Sequence, residues 1–559
     1  MPHWIETMND PTLTPQWQKL INHSNTIPDL VTLFKNNDKR TEDFLIDFES
    51  VCFDYSKQLI DRATKKLLIE FAEQMGLKDA IDKLVSGYKV NTTENRPALH
   101  TALRLPKGAS LVVDDIDITK QVHQSLDNMG VIVERLTSGL WRGYSGKAIK
   151  DIVNIGVGGS DLGPLMTCMA LSEWTGEAQI IQKGLVYNSI EAHFVSNMDG
   201  TQLDKLLFTL NPETTVFIIS SKSFTTSDTL SNAKTALAWL SNSHNDEKSI
   251  KRNHFIGISA NTKKMDAWGI HKANQLTLWD WVGGRFSMWS SIGLSVALKL
   301  GMANFRELLA GAHLMDEHFI HTPFADNIPV MMGLLSVWNS SFLGINAQAV
   351  LPYDGRLKYF PNYLTQLEME SNGKSVNLSG QKVAFDTCPI LWGEVGSNAQ
   401  HAFYQLLHQG TQNVACDFIA FINRYDENRQ DIDQQLLLQH KLSLANCLAQ
   451  SRVLAFGNVA LGSQEPCSTT STTHKNYRGN QPSSTILIDK LSPKTLGMVL
   501  AMYEHKVYVM SVMWGINPFD QWGVEVGKVM ASQLNDAIHQ HTLDYDDSTN
   551  ALLKRICNL

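Results

Sequence analysis

Gln366 and Glu370 stand four residues apart in Tyr363-Leu-Thr-Gln-Leu-Glu-Met-Glu-Ser-Asn-Gly-Lys374, a spacing that puts both on one face of a helix. Asn372 and Gly373 then read as a helix stop, which projects the Glu370 carboxylate into a cleft where it can take a proton; Glu368 is the rival carboxylate. In Gly396-Ser-Asn-Ala-Gln400, Ser397 and Gln400 have capping-box spacing and predict a helix carrying His401, Gln405 and His408 on adjoining faces. A histidine in that first turn is kept neutral by the helix dipole and suits proton transfer. Arg285 follows Gly283-Gly284 on flexible backbone, where a guanidinium can meet developing negative charge or form a structural pair with a carboxylate. Gln521, Glu525 and Lys528 share a helical face near the C-terminus, with an exposed Glu525–Lys528 ion pair as the plainer reading.

Two further loops suit an anion. Gly156-Val-Gly-Gly-Ser-Asp-Leu-Gly-Pro164 follows a strand and opens a helix, so backbone N–H groups free of a Cβ can approach a negative charge at a helix N-terminus. Ser220-Ser-Lys-Ser-Phe-Thr-Thr-Ser-Asp-Thr229 ends the next strand with seven hydroxyl residues and Lys222, either a phosphate cradle or a capping loop. Loops at the ends of successive parallel strands lie on one sheet edge and point to a phosphate ester. A nicotinamide fingerprint would need glycine where Asp161 stands, and a nucleotide P-loop would need glycine where Glu368 stands, so neither cofactor class is expected. His313, Asp316, Glu317, His318 and His321 cluster without the His-x-x-x-His spacing that aligns two metal ligands, and no metal is expected.

The elements that must position these groups follow from periodicity. Residues 1–115 read as mostly helical, with apolar spacings of three and four through residues 43–75. From about residue 116, residues 151–155, 214–220 and 254–259 are short β-rich runs, each followed by a turn and a helical pattern, which means a parallel sheet covered on both faces. A second α/β region follows, with strand-like residues 413–421 and 505–513 and a long helix over 434–455; residues 467–484 read as a surface loop. The chain has 559 residues, 43% hydrophobic and 19% charged, and a net charge of -8, which excludes general disorder and argues against a nucleic-acid binder. Seven scattered cysteines without a CxxC pair, no signal-like N-terminus and no apolar run of membrane-spanning length predict a soluble protein in a reducing compartment, the cytoplasm.

Taken together, residues 156–164, Ser221-Lys-Ser-Phe-Thr-Thr226, Val282-Gly-Gly-Arg-Phe-Ser287, Met369-Glu-Ser-Asn-Gly-Lys374, Gln400-His401 and Phe519-Asp-Gln-Trp-Gly-Val-Glu-Val-Gly-Lys528 resemble the glucose-6-phosphate isomerase (phosphoglucose isomerase) family in order and spacing. The resemblance implies an α/β fold with two flavodoxin-like sugar isomerase (SIS) domains on parallel sheets, over residues 116–295 and 296–525. Helical segments at 1–115 and 526–559 complete the expected organisation. It implies cofactor-free interconversion of glucose 6-phosphate and fructose 6-phosphate, serving glycolysis and gluconeogenesis. By the same resemblance Glu370 is the base, Arg285 stabilises the enediolate, and His401 and Lys528 open the ring. Gly159, Ser160, Ser221, Lys222, Ser223 and Thr226 match sugar-phosphate contacts, and Gln366 and Gln521 line the site. A homodimer is implied in which the neighbouring subunit supplies His401. Ser223 and Asp228 depart from residues common in the family, Thr and Glu, without touching a proton-transfer group. A non-catalytic sugar-phosphate sensor is the alternative; it needs the phosphate loops but not Glu370, His401 and Lys528.

Overall fold

Runs such as Ile152-Val-Asn-Ile155 and Val216-Phe-Ile-Ile219 carry branched and aromatic side chains that suit a pleated surface buried on both sides, and they form strands. The computed structural model describes residues 10–174, 190–425, 433–462 and 473–558 and has two compact units, Met1–Pro518 and Phe519–Leu559. In the larger unit the described strands are β1 (Leu45–Phe48), β2 (Val51–Asp54), β3 (Val112–Val113), β4 (Ile116–Asp117), β5 (Asp151–Gly156), β6 (Glu191–Val195), β7 (Thr215–Ser220), β8 (Phe255–Ser259), β9 (Gln275–Thr277), β10 (Ala347–Pro352), β11 (Ile390–Gly393), β12 (Ala415–Asn423) and β13 (Ser483–Lys490).

The first sheet is parallel throughout, in the order β6-β5-β7-β8-β9. From β5 the chain moves to β6 on one side and then returns to β7 on the other, so the order reverses between β5 and β7. Crevices for ligands form outside the carboxyl ends of strands at such a reversal. Register pairs Ile155 with Ile219 and Gly156 with Ser220, so the two anion-suited loops leave the sheet side by side. Val153, Ile155, Phe217 and Ile219 are fully buried and pack with Ala233, Ala236 and Leu240 of the helix Ser227–Ser241.

The second sheet has the order β1-β2-β13-β12-β10-β11, with β10 to β13 parallel and the β1–β2 hairpin antiparallel to β13. This corrects the helical reading of residues 43–75. Leu45-Ile-Asp-Phe48 and Val51-Cys-Phe-Asp54 flank a turn in which Glu49 takes φ 51°, and the hairpin covers the β13 edge that would otherwise expose unpaired backbone groups. The helix begins only at Arg62, where Asp61 and Thr64 form a capping box. The strand expected at 505–513 is likewise helix, within Pro493–Trp514. That helix is buried on nearly every face, which erases the 3.6-residue polarity that marks a surface helix, but Ser492 caps it and Pro493 starts it. The 434–455 helix is present as Gln434–Phe456. Of the loop expected at 467–484, residues 467–472 lie outside the described residues, and β13 opens at Ser483.

The smaller unit carries the helices Glu525–Gln540 and Asp547–Ile556. Among the described residues no helix is long and apolar enough to cross a membrane.

Candidate active site

Beyond β5 the chain makes a tight turn over Gly158–Ser160 and enters the helix Leu162–Ala170. Gly158 has φ +58°, and a Cβ on Gly159 would lie 2.0 Å from the Gly284 carbonyl oxygen and 2.7 Å from the Arg285 nitrogen. Both obstacles are backbone and cannot rotate away, so glycine is required at 159 for this loop to touch the segment that carries Arg285. Gly159→Ala should therefore displace Arg285 and lower kcat/KM by about 100-fold, the scale of an ångström misplacement of a reacting group. Steady-state kinetics would show it, and wild-type kinetics in that variant would contradict the contact.

The second loop is tied to the first by a buried amide. Asn154 donates from Nδ2 to the Ser160 carbonyl at 2.9 Å, and Ser220 Oγ donates to Asn154 Oδ1 at 2.9 Å. Ser221 Oγ lies 3.0 Å from Thr226 Oγ1, and Ser223 Oγ 2.6 Å from Thr225 Oγ1. Phe224 holds a left-handed backbone at φ 51°, a strained state for an aromatic residue, with its side chain anchored in the core. Thr226 is the N-cap of the helix Ser227–Ser241, yet its side chain accepts no hydrogen bond from that helix. The Thr226 hydroxyl is thus not consumed by capping and pairs with Ser221 instead. Lys222 donates from Nζ to the carbonyls of Asp280 and Val282 at 2.8 and 2.9 Å, fastening the loop to the approach to Gly283-Gly284-Arg285. Burial pushes its ammonium down to about 8.

Gln366–Glu370 is a π-helical turn, the widened form that recurs at functional positions. It sorts the two rival carboxylates. Glu368 points into the core, where its Oε2 meets Lys506 Nζ at 2.8 Å. Glu370 is held at both oxygens: Arg285 donates from Nη1 to Oε1 at 3.0 Å, and Gln366 from Nε2 to Oε2 at 2.8 Å. The spacing argument for Gln366 and Glu370 is met, although by a π turn rather than an α-helix. Gln366 also abuts Gly158, its Nε2 2.9 Å from where a Cβ would stand, so the carboxylate lies beside the first loop. Arg285, with a side chain only 1% exposed, further donates from Nε to Ser371 Oγ at 2.7 Å and from Nη2 to the Pro518 carbonyl. Lys374 Nζ donates to the carbonyls of Glu370 and Ser371 at 2.8 and 2.9 Å, closing the C-terminal end of the turn.

Within the larger unit the structure therefore brings together Gly159, Ser160, Ser221, Lys222, Ser223, Thr226, Arg285, Gln366 and Glu370. His401 is placed differently from the sequence reading. The helix Gly396–Ala402 has Val395 at its N-cap and no side-chain cap, so the Ser397–Gln400 box does not form; Gln400 Nε2 donates instead to Asn446 Oδ1 at 3.3 Å and Tyr353 Oη at 3.4 Å. The helix breaks at Phe403, and Tyr404–Gln409 is a new one, which separates His401 from His408. His401 lies exposed in the last turn, so the argument from the positive end of the helix does not apply to it. Gln521 and Lys528 belong to the smaller unit, where Lys528 Nζ is 2.9 Å from Glu525 Oε1, the ion pair expected from spacing. In the 313–321 cluster, Asp316 binds Arg104 and His505, and Glu317 Oε2 lies 3.4 Å from His321 Nε2.

Sequence reasoning did not single out Asn154, Ser371 or Lys374. Asn154 had a signal, a lone amide inside an apolar β run, where a buried polar group must find partners.

Residues 54–553 match the family model for phosphoglucose isomerase. A glucose-6-phosphate isomerase of Psychrobacter cryohalolentis is 58% identical over 551 residues, 97% of each chain, and one of Acinetobacter baumannii is 53% identical over 528 residues, 93% of each. The crystal structure of a glucose-6-phosphate isomerase from Chlamydia trachomatis superposes with a TM-score of 0.84 at 28% identity, covering 98% of this chain and 99% of that one. With the site geometry and these likenesses in hand, the chain belongs to the phosphoglucose isomerase family.

Proposed function

We propose that the chain interconverts glucose 6-phosphate and fructose 6-phosphate, with Glu370 as the single base that moves a proton between C2 and C1 through an enediolate. The observation that carries this reading is a Glu370 carboxylate held between Arg285 and Gln366 beside two anion-suited loops at the order reversal of a parallel sheet. The phosphate sits on the hydroxyls and amides of residues 158–160 and 221–226. Arg285, which pairs with Glu370, meets the negative charge that builds on the enediolate oxygens as the proton leaves carbon. His401 and Lys528 open the sugar ring, and Gln521 lines the site. A non-catalytic sensor would have no use for a carboxylate sorted from its neighbour and oriented at both oxygens.

Lys222 gives a pH dependence. It is charged below about 8 and neutral above, so anion capture by the free enzyme weakens as pH rises through that value. kcat/KM for fructose 6-phosphate should fall on this limb, and Lys222→Arg, which stays charged, should move the fall to higher pH. An identical limb in both would contradict a charge role for Lys222.

The working unit is a homodimer in which the neighbouring subunit supplies His401, and the compartment is the cytoplasm. Supporting the dimer, His401 is exposed and has no hydrogen-bond or ion-pair partner among the described residues of its own chain. The helix Glu525–Gln540 also leaves Val526, Val529 and Met530 exposed along one side. Every described cysteine is a free thiol, as suits a reducing compartment. The test is complementation. Glu370→Gln and His401→Ala chains, each inactive alone in forming glucose 6-phosphate from fructose 6-phosphate, are unfolded and refolded together. Heterodimers hold one intact site, so random pairing should restore about a quarter of wild-type activity. No restoration would sink the shared site.

A further inference from the structure

At the edge of the first sheet opposite the phosphate loops, the segments that lead into β5, β8 and β9 line an open cavity of about 360 Å³. Arg135, Arg142, Arg252 and His271 line it around Trp141, and among the described residues no acidic side chain does. Its walls are fixed by hydrogen bonds. Trp141 Nε1 donates to the Asn253 carbonyl at 2.8 Å, and Asn274 Nδ2 donates to the carbonyls of Arg252 and Phe255 at 2.7 and 3.0 Å. His254 behind them accepts at Nε2 from the Tyr144 nitrogen at 2.9 Å and donates from Nδ1 to the Thr215 carbonyl at 2.7 Å.

The cationic groups are organised as well. The Arg135 guanidinium stacks over Trp141, 4.7 Å from the ring centroid. Arg142 Nη1 donates to the Gly146 carbonyl at 2.8 Å. His271 Nδ1 accepts from the Ala273 nitrogen at 3.3 Å, which leaves its proton on Nε2 as a donor. None of the three arginines forms an ion pair with a carboxylate among the described residues. The helix dipole accounts for Arg135 at the end of Ile118–Thr137 and for Arg252 at the end of Glu247–His254. It does not account for the convergence of both ends, with Arg142, on one cavity in a chain of net charge -8. Three guanidiniums together repel one another, and an anion between them removes that cost.

We propose that this cavity is a second anion site, distinct from the isomerisation site, for a small molecule bearing a phosphate or diphosphate group. The volume is that of a small-ligand pocket. Arginine forks bind phosphate oxygens in pairs and so give both charge and geometry.

Titration calorimetry of the full chain with inorganic pyrophosphate at low ionic strength tests it. The wild type should take up one equivalent more than an Arg135→Gln/Arg142→Gln/Arg252→Gln variant, with kcat/KM for fructose 6-phosphate unchanged. Arg142 and Arg252 are exposed, so Arg142→Gln and Arg252→Gln alone keep the test open if the triple variant does not fold. Each should weaken the additional uptake at least about fivefold. Arg252→Lys, which keeps the charge but loses the fork, should weaken it less than Arg252→Gln. Pyrophosphate uptake of the same stoichiometry and affinity in the wild type and the variants overturns the proposal.

Discussion

Replacing Glu370 with Gln should lower kcat by about 1,000- to 10,000-fold while KM for fructose 6-phosphate changes only a few-fold, because in the proposed mechanism the lost group moves a proton in the transition state and takes no part in holding the phosphate. The geometry makes this a test of chemistry rather than of folding. Glutamine keeps an acceptor for Arg285 Nη1, which now reaches Glu370 Oε1 at 3.0 Å. The turn itself is held elsewhere, by Lys506 on Glu368 and by Lys374 on the carbonyls of Glu370 and Ser371. Shortening the same side chain in Glu370→Asp keeps the carboxylate but withdraws it from Gln366 and Arg285. That variant should lose about 100-fold in kcat, the scale of a small misplacement. Steady-state kinetics on both variants, with melting temperatures close to wild type, would establish the order wild type, Asp, Gln.

The largest expected effect on stability lies away from the site, at Arg104. Its guanidinium binds both oxygens of Asp316 at 2.6 and 2.7 Å and Glu504 Oε2 at 2.5 Å, with the rings of Trp289 beneath it at 4.8 Å. All three charged side chains are buried. Asp316 Oδ1 also meets His505 Nε2 at 2.6 Å, and Trp289 Nε1 donates to Glu504 Oε1 at 2.7 Å. One cation thus pins the helices Met302–His321 and Pro493–Trp514 to the turn Thr101–Arg104. Arg104→Met leaves two carboxylates without their cation and should cost about 3–5 kcal/mol at pH 7.

The pH dependence of that loss has a definite sign. Burial raises Asp316, but the charge and hydrogen bonds of Arg104 and His505 outweigh it and hold the carboxyl at about 2, below its unfolded value. In the wild type the stability it contributes is present above the ordinary carboxylate range and is lost as pH falls through about 2. Without Arg104, Glu504, which burial already raises in the wild type, rises further, and Asp316 moves up with only His505 left to oppose its burial. The variant then gains stability relative to the wild type as pH falls from 7 to 5, because protonation removes the buried charge. Calorimetric melting at the two pH values would show the gap narrowing; a gap that is constant or widens toward pH 5 would contradict the buried-charge account.

The site was legible where chemistry lies in local strings. The 156–164 loop, the hydroxyl-rich 220–229 loop, the Gln366–Glu370 pair and Arg285 follow from residue type and spacing, because each is a turn or a helix face that its own neighbours determine. What spacing could not separate was Glu368 from Glu370. That choice is made by Lys506, far along the chain, and by a π turn that no local pattern announces. The same reason explains the strand reading of residues 505–513 inside the helix Pro493–Trp514: burial on all sides is a tertiary fact, and it removes the periodicity on which the reading depends. The β1–β2 hairpin was missed because its role is to close the edge of β13, more than 400 residues later. His401 is a candidate by residue type, but its helix breaks at Phe403 instead of continuing through His408.

The central claim is that one base, Glu370, carries a proton between C2 and C1, and isotope transfer from solvent tests it most directly. Fructose 6-phosphate is converted in heavy water by the wild type and by Glu370→Gln, and the glucose 6-phosphate formed is read by proton NMR. The account predicts deuterium at C2 with the wild type, since a carboxyl proton exchanges with solvent during the lifetime of the enediolate, and almost no exchange or turnover with the variant. Product from the wild type that never carries solvent deuterium at C2, or a variant that exchanges at the wild-type rate, would contradict it.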